Sequence, residues 1–433
     1  MQSLIIEPEH LSGRIMAQPS KSMAHRMILC ALLAKGVSHI DNVVLSDDIR
    51  ATIDACEAFG AKIVINVSDV YADRKKITVL SSGQIKITDP VIDCHESGST
   101  ARFIIPVSRL CGEPVTVTGG GRLVERPFEI YKDLLPEKGI TYGDENGKMP
   151  ITLSGKLSPG EYAVRGDVSS QFISGLLFAL PCLEGDSVIR ITGKLESRSY
   201  IEMTLAALKS FGVEVMHDDD FNAFTVKGGQ SYKPQDLTVE GDWSQAAFFC
   251  VLGAICGNLA IEGLKIDSLQ GDKVIVDIIR RMGANVTYGN DTLNIGHSDL
   301  HAVNVDASQC PDLVPAIAVA AALCEGRSVI GNAARLRIKE SDRLHAVCVE
   351  LNKLAACVEE MPDGLVIHGV RNFRGAPVDG WNDHRIVMAL AIASSACEGQ
   401  IEINGYSAVS KSYPEFWDDI KKLGGKIDGQ HLG

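Results

Sequence analysis

Phe211-Gly212-Val213-Glu214-Val215 reads as the end of one helix and the start of a strand, and the chain repeats that junction. An apolar residue closes the helix, Gly takes the left-handed turn at little cost, and the alternation that follows suits a half-buried strand. The junction recurs at Phe59-Gly60-Ala61-Lys62-Ile63, Lys138-Gly139-Ile140, Met282-Gly283-Ala284-Asn285-Val286 and Leu423-Gly424-Gly425-Lys426-Ile427. At Leu354-Ala355-Ala356-Cys357-Val358 it keeps its pattern with Ala in place of Gly. Successive copies stand 79, 73, 71, 72 and 69 residues apart.

A second series runs out of phase with the first: Gly36, Gly112, Gly185, Gly257, Gly326 and Gly399, in steps of 76, 73, 72, 69 and 73. Each of these glycines is read as closing an Ala-rich apolar helix before another alternating strand, such as Val188-Ile189-Arg190-Ile191. Two interleaved series at one period imply repeats of roughly 70 residues, each with two helices and several strands. The expected fold is therefore α/β, with six units in two domains of three. Pro234 and the polar stretch 228–235 separate the third unit from the fourth. The domains predicted are 20–235, and 236–433 joined by 1–19, whose strand-like residues 3–15 complete the second.

The 433 residues are 45% hydrophobic and 22% charged, an ordinary globular composition with a formal net charge of −13. That much negative charge repels phosphate backbones and argues against nucleic acid as a partner. Cysteines such as Cys30, Cys111, Cys250, Cys256, Cys324 and Cys348 lie in apolar runs without a C-x-x-C pair, the pattern of buried free thiols in a reducing compartment. The opening MQSLIIEPEH has no basic n-region, and the longest apolar run, 246–261, is broken by Gly253, Gly257 and Asn258. A cytoplasmic, membrane-free monomer is the expectation.

Polar residues recur where the helices of the repeat begin. One series comprises Lys21-Ser22, Ser97-Gly98-Ser99, Ser169-Ser170-Gln171, Asp242-Trp243-Ser244, Pro311-Asp312 and Asp383-His384-Arg385. The other includes Arg122 and Arg126, Ser197-Arg198, Lys339-Glu340-Ser341-Asp342-Arg343 and Ser410-Lys411-Ser412. Ser and Asp alone would be helix caps. Lys21, Arg26, Arg102, Arg122, Arg126, Arg198, Lys339, Arg343, Arg385 and Lys411 accompany them, however, at the end of a helix that disfavours cations. Free N–H donors, helix dipoles and these side chains together predict a site for multiply charged small anions. Each charge-assisted hydrogen bond there contributes about 1.5–3 kcal/mol.

These residues carry a family resemblance. Arg337-Ile338-Lys339-Glu340-Ser341-Asp342-Arg343-Leu344 resembles the R-x-K-E-[ST]-D-R segment of 5-enolpyruvylshikimate-3-phosphate synthases. Collinear matches follow at Pro19-Ser20-Lys21-Ser22 with Arg26, Ser97-Gly98-Ser99-Thr100-Ala101-Arg102, Arg122 with Glu125-Arg126-Pro127, Ser169-Ser170-Gln171, and Ser197 with Tyr200. Gly241-Asp242, Pro311-Asp312, Asp383-His384-Arg385 and Ser410-Lys411 complete the series. The resemblance implies two inside-out α/β barrels with the active site in the cleft between them; like charges facing each other across two domains add the expectation that ligand closes that cleft. It implies transfer of the enolpyruvyl group of phosphoenolpyruvate to the 5-hydroxyl of shikimate 3-phosphate through a tetrahedral intermediate, in aromatic amino acid biosynthesis, with no cofactor or metal. Gly98, by the same resemblance, implies a pocket that admits glyphosate.

By the same resemblance, shikimate 3-phosphate would be held by Lys21, Ser22, Arg26, Ser169, Ser170, Gln171, Ser197, Tyr200, Asp312, Arg335 and Lys339. Phosphoenolpyruvate would be held by Lys21, Gly98, Arg122, Gln171, Arg343, Arg385 and Lys411. The hydroxyl must lose a proton while C3 of the enol gains one and later returns it. Asp312 and Glu340 are the candidates for that work, with Lys21 and Lys411 stabilising the departing phosphate. The chain departs from the family at Glu96, usually Asn, at Ser99, usually Thr, and at Arg335, often Asn.

Two alternatives compete. UDP-N-acetylglucosamine enolpyruvyl transferase shares the donor, but it carries Lys-Asn where this chain has Lys21-Ser22, and a reactive Cys where Gly119-Gly120-Gly121 leads to Arg122. A non-catalytic polyanion scaffold would have no use for Asp312 or Glu340. His297 and His301 have the spacing of helical metal ligands but no further ligand at a useful interval, Asp218-Asp219-Asp220 reads as a solvated turn, and residues 118–122 lack the Lys of a phosphate loop.

Overall fold

The computed structural model describes residues 3–289 and 291–428. The chain divides into two compact units, one from Pro19 to Glu240 and the other formed by the chain up to Gln18 with everything from Gly241. Each unit has its own hydrophobic core.

The repeat is visible as one sheet topology drawn six times. In the Pro19–Glu240 unit, Asp236–Thr238 pairs in parallel with Lys35–Val43, which pairs antiparallel with Lys75–Ser82 and through it with Lys62–Val67. Val91–Asp93, Val115–Thr118, Lys148–Ser154 and Thr141–Glu145 follow the same order, as do Gly160–Arg165, Ser187–Thr192, Ala223–Val226 and Val215–His217. The other unit repeats it with sheets centred on Leu259–Glu262, Arg327–Gly331 and Ile401–Asn404.

The first segment of the chain belongs to the unit of residues from Gly241 onward. Gly13–Met16 opens one of its sheets beside Leu259–Glu262. Ser3–Ile6 is an inner strand of another, between Ile401–Asn404 and Ile427–Asp428.

The helices Trp243–Cys256, Val314–Ala322 and His384–Ala393 are apolar on every side and pack on one another as the interior of their unit. Strands such as Gly160–Arg165 alternate buried and exposed positions, so the sheets form the outer layer. Helices inside and sheets outside is the inside-out α/β arrangement. In the other unit, Gly98–Ser108 approaches Ser170–Ala179 so closely that a Cβ on Gly175 would lie 2.3 Å from the carbonyl oxygen of Arg102.

Gly60, Gly139, Gly212, Gly283 and Gly424 all take positive φ, and Ala355 takes +64° at the sixth junction. The second glycine series is less uniform than its spacing implied. Gly112, Gly326 and Gly399 are left-handed, but Gly36 lies inside the strand Lys35–Val43 at φ +136°. Gly185 has no positive φ and is held to Gly by crowding, a Cβ there lying 2.8 Å from Pro159.

His297 and His301 lie outside any helix, so their spacing puts them on no common helical face. Cys111 and Cys348 are half-buried rather than buried, and Cys357 is exposed. Among the described residues no helix is long and apolar enough to cross a membrane.

Candidate active site

In the Pro19–Glu240 unit the candidate residues fall at four helix starts, with Arg122 apart from them. Ser20 caps the helix Lys21–Leu33 by accepting from Met23 N–H, which leaves Lys21 and Ser22 on its first turn. Lys21 Nζ lies 2.6 Å from Asp48 Oδ2. Ser97 and Ser169 cap Gly98–Ser108 and Ser170–Ala179 in the same way. Gln171 joins these two starts: it accepts from Arg102 Nη1 at 2.9 Å and donates to Ser99 Oγ at 2.8 Å. The Arg102 guanidinium lies over Phe128 and Phe172. A Cβ on Gly98 would come within 2.6 Å of Arg126 and 2.7 Å of Arg102, so the absent side chain makes room for two cations. Ser197 begins its helix at φ +54°.

Arg122 lies in a short 3-10 turn, Gly121–Glu125, ahead of the helix Glu129–Leu134 rather than at its start. The Glu96 carboxylate covers that turn, occupying the place a side chain on Gly121 would take. Arg26 is turned inward. It donates to the carbonyls of Ser22 and Tyr200 and to Thr204 Oγ1, and burial lowers its pKa to about 10. Arg198 pairs with Glu202 and lies 3.9 Å over the ring of Phe221.

In the unit from Gly241 onward the candidates converge on one guanidinium. Asp342 caps the helix Arg343–Lys353, so Arg343 is its first residue. Arg343 is 1% exposed and donates to three carboxylates: Nη1 to Asp312 at 2.8 Å, Nη2 to Glu340 at 2.6 Å, and Nε to Asp383 at 2.8 Å. Arg385 donates to the Asp312 carbonyl at 2.9 Å and to Ser244 Oγ at 2.8 Å. Lys339 Nζ is 3.3 Å from Asp312 Oδ1. Lys411 closes a 3-10 turn and donates to the carbonyl of Asn382, which with Trp381 makes two consecutive left-handed residues. Arg335 donates to the Ser308 carbonyl at 2.7 Å.

Burial alone would raise the Asp312 carboxyl, but Lys339, Arg385 and Arg343 together hold it well below the usual range. Burial works against Lys339 and lowers its pKa despite Asp312 and Glu340. Arg343 is raised, because Asp383, Glu340 and Asp312 outweigh its desolvation.

Cations at helix starts were expected to need a ligand for neutralisation. Asp48, Asp312, Glu340, Asp383 and Glu202 supply much of that charge from the protein itself. Asp48 was missed, although Ser46-Asp47-Asp48 is a legible helix start of the kind that marked the other candidates.

The EPSP synthase family model, described as 3-phosphoshikimate 1-carboxyvinyltransferase, matches residues 5–420. The chain belongs to the EPSP synthase family. Its relatives include the 3-phosphoshikimate 1-carboxyvinyltransferases of Clostridium novyi and Clostridium kluyveri, each 46% identical over the full length of both chains. The solved EPSP synthase of Acinetobacter baumannii superposes with a TM-score of 0.83 at 25% identity, covering all of both chains. As a member of the EPSP synthase family, the chain is an enzyme that transfers the enolpyruvyl group of phosphoenolpyruvate to shikimate 3-phosphate.

Proposed function

We propose that cations and hydroxyls at the helix starts hold the substrate pair and that the Arg343 cluster carries the proton transfers. Lys21, Ser22, Ser169, Ser170, Gln171, Ser197 and Tyr200 bind shikimate 3-phosphate with Lys339 and Asp312. Lys21, Gly98, Arg122, Gln171, Arg343, Arg385 and Lys411 bind phosphoenolpyruvate, arginine forks suiting both carboxylate and phosphate. Arg26 acts from behind, fixing the helix Lys21–Leu33 against Tyr200.

The observation that carries this reading is the pair of carboxylates on one guanidinium, Asp312 on Nη1 and Glu340 on Nη2 of Arg343. The reaction needs two acid–base groups at separate atoms of the same substrate pair, and a rigid guanidinium fixes both at once. As the 5-hydroxyl attacks C2, its proton passes to Asp312 and Glu340 protonates C3. The C2–O bond to phosphate then breaks. Glu340 takes a proton back from C3, and Asp312 gives its proton to the departing phosphate. An Asp whose ionised form is strongly favoured is a ready donor once protonated, which suits that last transfer. Lys21 and Lys411 stabilise the charge on the leaving phosphate.

Glu340→Gln keeps a hydrogen-bond acceptor for Arg343 and removes the titrating group. Steady-state turnover is expected to fall by about 10²–10⁴ with the circular dichroism spectrum unchanged. Near-normal kcat would remove Glu340 from the proton path.

A further inference from the structure

Two turns along the helix that Arg343 begins, the Glu350 side chain is 1% exposed, and four hydrogen bonds reach its two oxygens. Oε1 accepts from the Trp381 indole at 2.7 Å and from Lys353 Nζ at 2.9 Å. Oε2 accepts from Asp379 N–H at 2.9 Å and from the same Lys353 at 2.8 Å. Glu350 thereby ties its helix to the segment leading into Asp383, the cap of the helix His384–Ala393.

That segment is pinned at both ends. Gly380 N–H donates to the Asn404 carbonyl at 2.8 Å, and Asp383 N–H donates to the Gly380 carbonyl at 2.8 Å. The Asp383 carboxylate is engaged by Ser341, by the Arg343 guanidinium and by Arg385 N–H. Between the pins stand Trp381 and Asn382, at φ +53° and +50°. Two successive left-handed residues, neither of them glycine, are disfavoured by Cβ contacts and persist only where their surroundings hold them. Trp381 has three such holds: its N–H on Asp379 Oδ1 at 2.6 Å, its indole N–H on Glu350, and its ring in a T-shaped contact with His345. The strained pair fixes the direction of one carbonyl, that of Asn382, which accepts from Lys411 Nζ at 2.7 Å.

An ammonium on a flexible stem needs fixed acceptors to aim it. We infer that Glu350 is a positioning residue for Lys411, acting through Trp381 to hold the left-handed pair whose carbonyl sets the ammonium for its anionic substrate. The inference rests on Lys411 being a ligand of phosphoenolpyruvate. Glu350 itself has no place among the substrate ligands: it sits behind Trp381, which with Asn382 sits behind Lys411.

The test is steady-state kinetics in both substrates for Glu350→Gln, Trp381→Ala, Trp381→Gly, the double variant Trp381→Ala/Lys411→Ala, and Lys411→Ala as reference. Glutamine keeps the size of Glu350 but turns an amide N–H toward one of the donors its carboxylate receives. Glu350→Gln and Trp381→Ala should raise the phosphoenolpyruvate KM by about 3- to 30-fold, part of what one hydrogen bond to a charged group is worth. The KM for shikimate 3-phosphate should stay within about twofold, because Lys411 holds only the other substrate and Asp383 keeps its own ties. Trp381→Gly should lose less than Trp381→Ala, since glycine takes the left-handed conformation freely while an untied alanine leaves it. A residue that served packing alone would give the reverse order. The double variant should be no worse than Lys411→Ala, because both changes act on one ammonium. The Trp381 pair also decides the matter should Glu350→Gln fold poorly. Equal rises in both KM values, a larger loss in Trp381→Gly than in Trp381→Ala, or additive losses in the double variant would overturn the inference. A normal phosphoenolpyruvate KM in Trp381→Ala beside a raised one in Lys411→Ala would overturn it too, while leaving the substrate assignment intact. A normal value in Lys411→Ala would overturn that assignment and the inference with it.

Discussion

Asp272 and Asp312 are buried carboxyls within the field of the same Arg385, and their surroundings push them in opposite directions. Burial, with the negative charge of Asp312, raises Asp272 to about 6 against the pull of Arg385 and Ser244. Asp312 also suffers burial but has Lys339, Arg385 and Arg343 to hold it ionised. The consequence for stability follows by linkage. The folded chain binds the Asp272 proton more tightly than the unfolded chain does. Any contribution from this group is therefore intact below the unfolded value of 3.8 and lost as pH rises through about 6. Asp272→Asn, which never ionises, should be more stable than the native chain at pH 8 by up to about 3 kcal/mol and no more stable at pH 4. Urea denaturation at the two pH values measures it. A variant that is less stable at both would mean the ionised carboxylate earns its place by structure alone. None of this was legible in sequence: Asp272 lies in Gln270-Gly271-Asp272, which resembles an ordinary polar turn, and its neighbours Ser244, Arg385 and Asp312 come from distant parts of the chain.

At the scale of the element, the junction between helix and strand is the feature the sequence announces best. It is local, and left-handed backbone restricts the residue type directly. Ala355 occupies at φ +64° the place filled by glycine at the other five junctions. Ala355→Gly should stabilise the chain by about 1 kcal/mol, since the Cβ strain of a left-handed residue outweighs the extra freedom of glycine when unfolded. Gly212→Ala should cost about 1–2 kcal/mol, a Cβ there meeting Lys233 at 3.2 Å while φ stays at +78°. Chemical denaturation midpoints with an unchanged slope decide both. An Ala355→Gly chain of lower stability would mean the junction is not strained. The polar series was harder to read, because spacing alone does not separate a helix start from a 3-10 turn. Arg122 and Lys411 sit in such turns, displaced from the helices that follow. Nor can spacing reveal that Arg26 faces inward, where Tyr200, Thr204 and the ring of Phe103 receive it.

At the scale of the molecule, six similar sheets could be counted from the repeat period, but the route of the first strands could not be fixed by it. Four-residue strands such as Ser3–Ile6 carry little periodicity, and their partners at Ile401–Asn404 lie almost a whole chain away. That route has a thermodynamic consequence. A fragment of residues 19–240 retains every strand of its three sheets and should unfold cooperatively by itself. A fragment of residues 241–433 lacks the inner strand Ser3–Ile6 and the edge strand Gly13–Met16, exposing unpaired backbone that favours association. It should fold only when residues 1–18 are supplied, as judged by circular dichroism and urea titration. Folding of 241–433 alone to the same stability would contradict the pairing.

The central claim is that a chain of net charge −13 gathers its cations locally to hold two small anions and move an enolpyruvyl group from one to the other, with release of phosphate. Phosphate release from phosphoenolpyruvate, followed with shikimate 3-phosphate or UDP-N-acetylglucosamine as acceptor, measures it most directly. Release is predicted with shikimate 3-phosphate alone, and it should collapse in Glu340→Gln. Release that depends on the sugar nucleotide instead, or none with either acceptor from a folded chain, would contradict the account.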